Sequence, residues 1–125
     1  PRLIGFERAF ELIVRGQKLS GSEAAQWGLA SRVVPANLVL ETALDIARDM
    51  ALHCSPLVMG MHKRLLWKGL DATRENFVAW ETRVLHDTLS RPDALEGGLA
   101  WLEKRGPQWT SSVAQDWPDQ LMDGE

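Results

Sequence analysis

Glu11–Pro35 reads Glu-Leu-Ile-Val-Arg-Gly-Gln-Lys-Leu-Ser-Gly-Ser-Glu-Ala-Ala-Gln-Trp-Gly-Leu-Ala-Ser-Arg-Val-Val-Pro. Gly16 closes a first helix, because glycine takes the left-handed conformation at a helix C-terminus at little cost. Ser20 and Glu23 have capping-box spacing: the hydroxyl accepts from the backbone three residues on, and the carboxylate reaches back. Gly28 ends the short helix that follows. Arg32-Val33-Val34 is expected to form a brief strand, since β-branched residues suit a pleated backbone. Pro35 would stop it, having no N–H to give to a ladder.

Around this stretch the chain reads as helical. Leu3, Ile4, Phe6, Phe10, Ile13 and Val14 recur at helical spacing, predicting a helix over 1–15. No cap precedes it, so the chain starts inside a periodic segment and upstream sequence is expected. Asn37 is the expected N-cap of a helix over 38–54 with the stripe Leu40, Ala43, Leu44, Ala47, Met50, Ala51 and Cys54. Ser55-Pro56 predicts the next start, Ser as cap and Pro in the first turn. That helix runs to about Gly69, with Leu57, Met61 and Leu65 on one line, Val58 and Leu66 on another, and His62, Lys63, Arg64 and Lys68 opposite.

Asp71 or Thr73 caps a further helix over 74–89, with Phe77, Val78, Val84, Leu85 and Leu89 apolar. After the break at Ser90–Asp93, Leu95, Leu99 and Leu102 mark another helix, in which Gly97-Gly98 implies a close approach by a backbone or a ligand. Gly106-Pro107 is the expected stop. Residues 110–125 carry Asp116, Asp119, Asp123 and Glu125 without a basic residue; the first reading is a mobile acidic tail, the second a short flap packed through Trp117-Pro118 and Leu121-Met122.

The 125 residues suffice for one core, and 45% hydrophobic with 25% charged residues is ordinary for a globular domain. A formal net charge of −3 argues against nucleic-acid binding. No apolar run approaches the roughly 20 residues needed to span a bilayer. Residues 1–16 are charged throughout, unlike a signal peptide. Cys54 is the only cysteine, which fits a reducing compartment, and a cytoplasmic location is expected. Six Trp without Tyr call for burial or a partner surface.

Chemistry-bearing motifs are few. There is no Gly-rich phosphate loop, CxxC or HExxH. His53, His62 and His86 fall in different predicted helices without a metal-ligand partner at i+3 or i+4, so no metal site is expected. Cys54 reads as a packed thiol. Ser20 reads as a cap, because no Gly-x-Ser-x-Gly elbow surrounds it. Glu7, Glu11, Glu81 and Glu96 read as a solvated face rather than as general acids. The Lys63-Arg64…Lys68 cluster reads first as an exposed face and second as a site for an anionic group. For Trp101-Leu-Glu-Lys104-Arg105, two readings stand side by side. The helix dipole alone favours cations there. Alternatively a phosphate meets Lys104 or Arg105 while Trp101 lies near an aromatic ring.

The order Gly16…Ser20-x-x-Glu23-Ala-Ala…Gly28-Leu, Val33-Val34-Pro35, Ser55-Pro56…Lys63, Glu96-Gly97…Trp101-Leu-Glu-Lys104-Arg105 resembles the enoyl-CoA hydratase/isomerase (crotonase) family over roughly Arg2–Trp109. Departures are Val14-Arg15-Gly16 where members often have Leu-Thr-Gly, Gly106 where a further basic residue is common, and the tail after Trp109. The resemblance implies a mainly α chain, the C-terminal helical region of a crotonase-like α/β fold, a spiral of ββα units. Residues 1–36 would end the catalytic domain, 37–109 would form the helical oligomerisation region, and 110–125 the tail. It implies an enzyme acting on acyl-CoA thioesters through an oxyanion-stabilised enolate, in trimers or hexamers. Coenzyme A would be part of the substrate, with no separate cofactor. The oxyanion donors and hydratase glutamates lie upstream of Pro1 in the family pattern, so no catalytic residue is expected in this chain and the chain alone is expected to be inactive. Lys104 matches a lysine that reaches CoA phosphate, and Trp101 occupies the aromatic position beside it. The alternative is a non-catalytic helical oligomerisation or interaction module.

Overall fold

A computed structural model describes residues 1–122. Its elements, in chain order, are α1 (Phe6–Arg15), α2 (Gly21–Gln26), a 3-10 turn (Ala36–Leu38), α3 (Val39–His53), α4 (Pro56–Gly69), α5 (Arg74–Ser90), α6 (Pro92–Glu103) and α7 (Val113–Asp116). They fall into two compact units, Pro1–Leu44 and Asp45–Glu125. The described residues contain no strand.

In the first unit α1 starts later than its apolar period implies, because Gly5 stands at φ 82° as the N-cap. Gly16 closes α1 at φ 58°, its N–H donating to the Leu12 carbonyl. The capping box forms as expected: the Glu23 amide donates to Ser20 Oγ at 3.2 Å, and the Ser20 amide to Glu23 Oε2 at 2.8 Å. The strand expected at Arg32–Val34 is absent. A β-branched run needs a ladder partner, and no strand lies beside it among the described residues. Asn37 caps nothing; it sits inside the 3-10 turn that begins after Pro35.

The second unit has a core of Leu57, Met61, Leu65, Trp80, Val84 and Met122. The expected line on α4 is therefore the buried one. On α5 the deciding residue is Trp80, which joins Val84 one turn on, while Leu85 and Leu89 are exposed. Thr73, not Asp71, caps α5, its Oγ1 accepting from the Asn76 amide at 3.2 Å. On α6 the leucine stripe faces outward, and the buried residues are Asp93 and Ala100. Small and polar side chains can approach a neighbour closely there, which leucines could not.

The α3 stripe is exposed along its length, Cys54 included, so the expected packed thiol is instead a free, accessible one. Residues 110–122 are packed as the flap reading expects. Trp117 and Leu121 pack on the core, and Met122 is only 4% exposed. The apolar residues of this acidic stretch outweigh its charges, because each buried side chain contributes about 1.5–3 kcal/mol. Asp123 and Glu125 lie outside the described residues.

Candidate functional site

The C-terminus of α6 gathers the polar and aromatic groups singled out above. Glu103 is its last helical residue, and Lys104 caps it in the left-handed conformation, φ 54° and ψ 40°. Gly106-Pro107 is thus not the stop: the reversal comes two residues earlier. Among the described residues Lys104 is the one non-glycine with positive φ. A side chain at such a position costs about 1–3 kcal/mol and persists where the surroundings or the function demand it. The Lys104 amide donates to the Trp101 carbonyl at 3.3 Å, and the Arg105 amide to the Ala100 carbonyl at 3.1 Å. These bonds fix the reversal, so the Lys104 side chain leaves the helix end into solvent.

Arg105 engages the two carboxylates nearby. Its guanidinium spans Glu96 through Nη1–Oε1 at 2.6 Å and Nη2–Oε2 at 3.0 Å, and its Nε donates to Glu103 Oε2 at 2.6 Å. Glu96 also accepts from the Gln108 amide at 2.6 Å. The Arg105 guanidinium and then the Gln108 amide hold the Glu96 carboxyl down at about 2. Glu96 raises the Arg105 guanidinium in turn, with Glu103 adding to it. Glu96 is therefore an ionised brace for the 104–108 turn and unsuited to act as a general acid. Both acids are engaged by Arg105, and the exposed Lys104 makes no ion pair among the described residues. Trp101, one turn before Lys104, is 80% exposed. A flat indole and a cation thus share one exposed helix end, a pairing suited to a ligand with an aromatic ring and an anionic group.

A second polar centre was not legible as such. Asp93, 3% exposed, accepts from Ser55 Oγ at 2.6 Å, from the Thr110 amide at 2.8 Å, from Thr110 Oγ1 at 3.0 Å and from the Ser111 amide at 3.3 Å. Burial pushes its carboxyl up, but the bonds from Ser55, Thr110 and Ser111 together outweigh that, and the net direction is down. Ser55 precedes α4 but makes no side-chain cap bond; its hydroxyl is committed to Asp93. Asp93 therefore clasps the start of α4 to the chain leaving α6. In the sequence, Asp after Pro92 gave only a helix start, and nothing local tied it to Thr110.

The basic side of α4 is not simply a solvated face. The Arg64 guanidinium lies over the Trp117 ring at 5.6 Å. The Lys68 ammonium stands 5.0 Å from the Trp80 centroid and donates to the Met122 carbonyl at 2.5 Å. Lys63 lines an open apolar recess with Cys54, Val58, Met59, Leu66 and Trp67. Gly97 meets the Trp109 ring, to which an added Cβ would lie at 3.5 Å, whereas Gly98 faces open space. So the close approach expected at the Gly pair comes from a side chain, and at one glycine only. Glu7, Glu11 and Glu81 are exposed, as expected of a solvated face. His53 pairs with Asp49, and the His62 Nδ1 bonds to the Val58 carbonyl. Among the described residues no three His, Cys, Asp or Glu side chains gather as a metal site would require. No helix among them is long and apolar enough to cross a membrane.

The family model for enoyl-CoA hydratase/isomerase matches residues 1–112. A probable mitochondrial enoyl-CoA hydratase of Dictyostelium discoideum is 35% identical over 108 residues, covering 86% of this chain and 39% of that protein. Carnitinyl-CoA dehydratase of Proteus mirabilis is 33% identical, covering 79% of this chain and 39% of its own length. The crystal structure of a probable enoyl-CoA hydratase/isomerase from Mycobacterium abscessus superposes with a TM-score of 0.86 at 35% identity, over 90% of this chain and 44% of that one. The helices described here thus correspond to a helical portion of the crotonase fold, and the chain spans about two fifths of the relatives it matches. With motif order, helix succession and superposition in agreement, this chain belongs to the enoyl-CoA hydratase/isomerase family.

Proposed function

We propose that the whole protein is a CoA-thioester hydratase or isomerase and that this stretch supplies the corner that reads the nucleotide end of coenzyme A. In this reading Lys104 meets a CoA phosphate and Trp101 lies beside the adenine. The observation that carries it is Lys104 at φ 54°, where glycine would be cheaper. A lysine that served only the helix dipole could stand one residue earlier without strain. The bidentate hold of Arg105 on Glu96 supports the same reading, because it braces the turn that carries Lys104.

The thioester chemistry would belong to preorganised donors outside this stretch, which stabilise an enolate oxygen by several kcal/mol. Water addition would need an acid and a base there as well. Lys104 and Trp101 would orient the substrate from its far end and leave the chemical step to those groups. The exposed apolar stripes on α1 and α3 support assembly with further protein, including other copies of this chain.

The test is turnover of a panel of short and medium enoyl-CoA thioesters by the full-length gene product and by the 125-residue chain. Turnover is expected from the first and none from the second. A full-length product inert on every thioester would refute the enzyme reading in favour of a helical interaction module.

A further inference from the structure

The segment Val113–Met122 lies beyond residue 112, where the family match ends, yet it completes the core. We propose that it is a detachable strap seated in a peptide-binding groove on α4, and that the same groove accepts the strap of a second copy of this chain.

The seat is built residue by residue. Gly60 lies mid-helix, where glycine is unfavourable relative to alanine. A Cβ there would stand 3.2 Å from Trp117 Cζ3 and 3.2 Å from Val113 Cγ2, so the strap lies directly on the bare backbone of α4. Arg64, one turn on, covers the Trp117 ring at 5.6 Å. Lys68, one further turn on, holds the Met122 carbonyl at 2.5 Å. Glycine, arginine and lysine at i, i+4 and i+8 thus track a single face of α4. They read an indole, then the backbone carbonyl of the buried Met122. The charges also match: the seat carries Arg64 and Lys68, and the strap carries Asp116 and Asp119 with no basic residue.

The strap has little order of its own. α7 has four residues, too few for a helix to persist without tertiary support. Its hinge is defined, because Asp93 holds Thr110 and Ser111 and so anchors the chain immediately before the strap. A strap that leaves its seat therefore swings from Ser112 with the clasp intact. Within one copy the seat is filled at the high effective concentration of a tethered segment, so exchange between copies needs high protein concentration or a disabled strap.

The test uses two full-length variants that complement one another. Trp117→Ala weakens the strap and vacates the seat; Gly60→Leu blocks the seat and frees an intact strap. Labelled with a fluorescent donor and acceptor, the mixed pair should associate about tenfold more tightly than either variant with itself, one decade of affinity. A fluorescent peptide of residues 112–122 should bind the Trp117→Ala chain about tenfold more tightly than the unaltered chain, and adding Gly60→Leu should abolish that binding. No excess association in the mixture, or peptide binding indifferent to Gly60→Leu, overturns the proposal. Amide exchange of the unaltered chain needs no variant. Residues 113–122 should exchange about tenfold or more ahead of Leu57–Leu65, as separate opening units do. Exchange of both together would overturn the detachable strap.

Discussion

Asp93→Ala removes the carboxylate that ties the start of α4 to the chain after α6. Its partners are the Ser55 hydroxyl, the Thr110 hydroxyl and the Thr110 and Ser111 amides. The hydroxyls can rotate to other acceptors, but the two amides are fixed. Each buried donor left without a partner costs about 1–3 kcal/mol. Thr110 lies near solvent and recovers part of its share from water, so the expected loss is about 3 kcal/mol overall. For a domain near 100 residues that lowers Tm by about 12–24 °C, at roughly 4–8 °C per kcal/mol. Asp93→Asn keeps one oxygen for the amides, and the Ser55 hydroxyl can turn to accept from the new NH2. Its cost should be about 1–2 kcal/mol, the loss of charge assistance alone. Urea unfolding of the three proteins, followed by far-UV circular dichroism, measures both. Because the folded carboxyl titrates below its unfolded value of about 3.9, its stabilisation is complete above that pH and is lost as pH falls through the folded value. The gap between the unaltered chain and Asp93→Asn should therefore be constant near neutrality and close below about pH 4. An Asp93→Ala protein within about 0.5 kcal/mol of the original, the range of ordinary surface changes, would refute the clasp.

At Gly69 an added Cβ would stand 2.5 Å from two Phe77 ring atoms, so Gly69→Ala must displace that ring from the core and should cost about 1–3 kcal/mol; unchanged stability in denaturant would show that the ring moves freely. The Glu96 carboxyl should titrate by NMR at about 2. Being depressed, its contribution is present above the unfolded value of about 4.3 and fades as pH falls through the folded one; an ordinary midpoint would deny the Arg105 brace. Lys104→Gly should raise stability by about 1 kcal/mol by relieving the positive φ, and a loss in thermal unfolding would mean that the side chain supports the fold. Cys54 should react fully with a thiol reagent in the native chain, and protection until unfolding would contradict its exposure.

What could be read from the sequence was local or periodic. The Ser20/Glu23 box, Gly16, the α4 line Leu57–Met61–Leu65 and the position of Trp101 and Lys104 all follow from spacing within one helix or turn. What escaped depended on partners distant in the chain. Asp93 needs Thr110 and Ser55 beside it to become more than a helix start. The leucines of α6 form a sound apolar stripe, yet the buried side is the Asp93–Gly97–Ala100 line, because Trp109 and the clasp press there. In 110–122 the acidic residues argued for a tail and Trp117, Leu121 and Met122 for a flap; composition alone could not rank the two, because the α4 seat that decides it is distant in the chain. At Lys104 the family pattern marked the residue, while its left-handed backbone could not be foreseen because lysine has no preference for that conformation.

Lys104 as a reader of CoA phosphate is the contact on which the proposed function turns. An exposed lysine–phosphate contact contributes about 1–2 kcal/mol. Lys104→Ala in the full-length protein should therefore raise KM for an acyl-CoA about tenfold and leave kcat nearly unchanged, as loss of uniform binding does. The increase should shrink with added salt. The decisive comparison is KM of both proteins for the same acyl thioester of CoA and of 3′-dephospho-CoA. The prediction is a loss confined to the substrate that carries the 3′-phosphate; equal losses on both would contradict it.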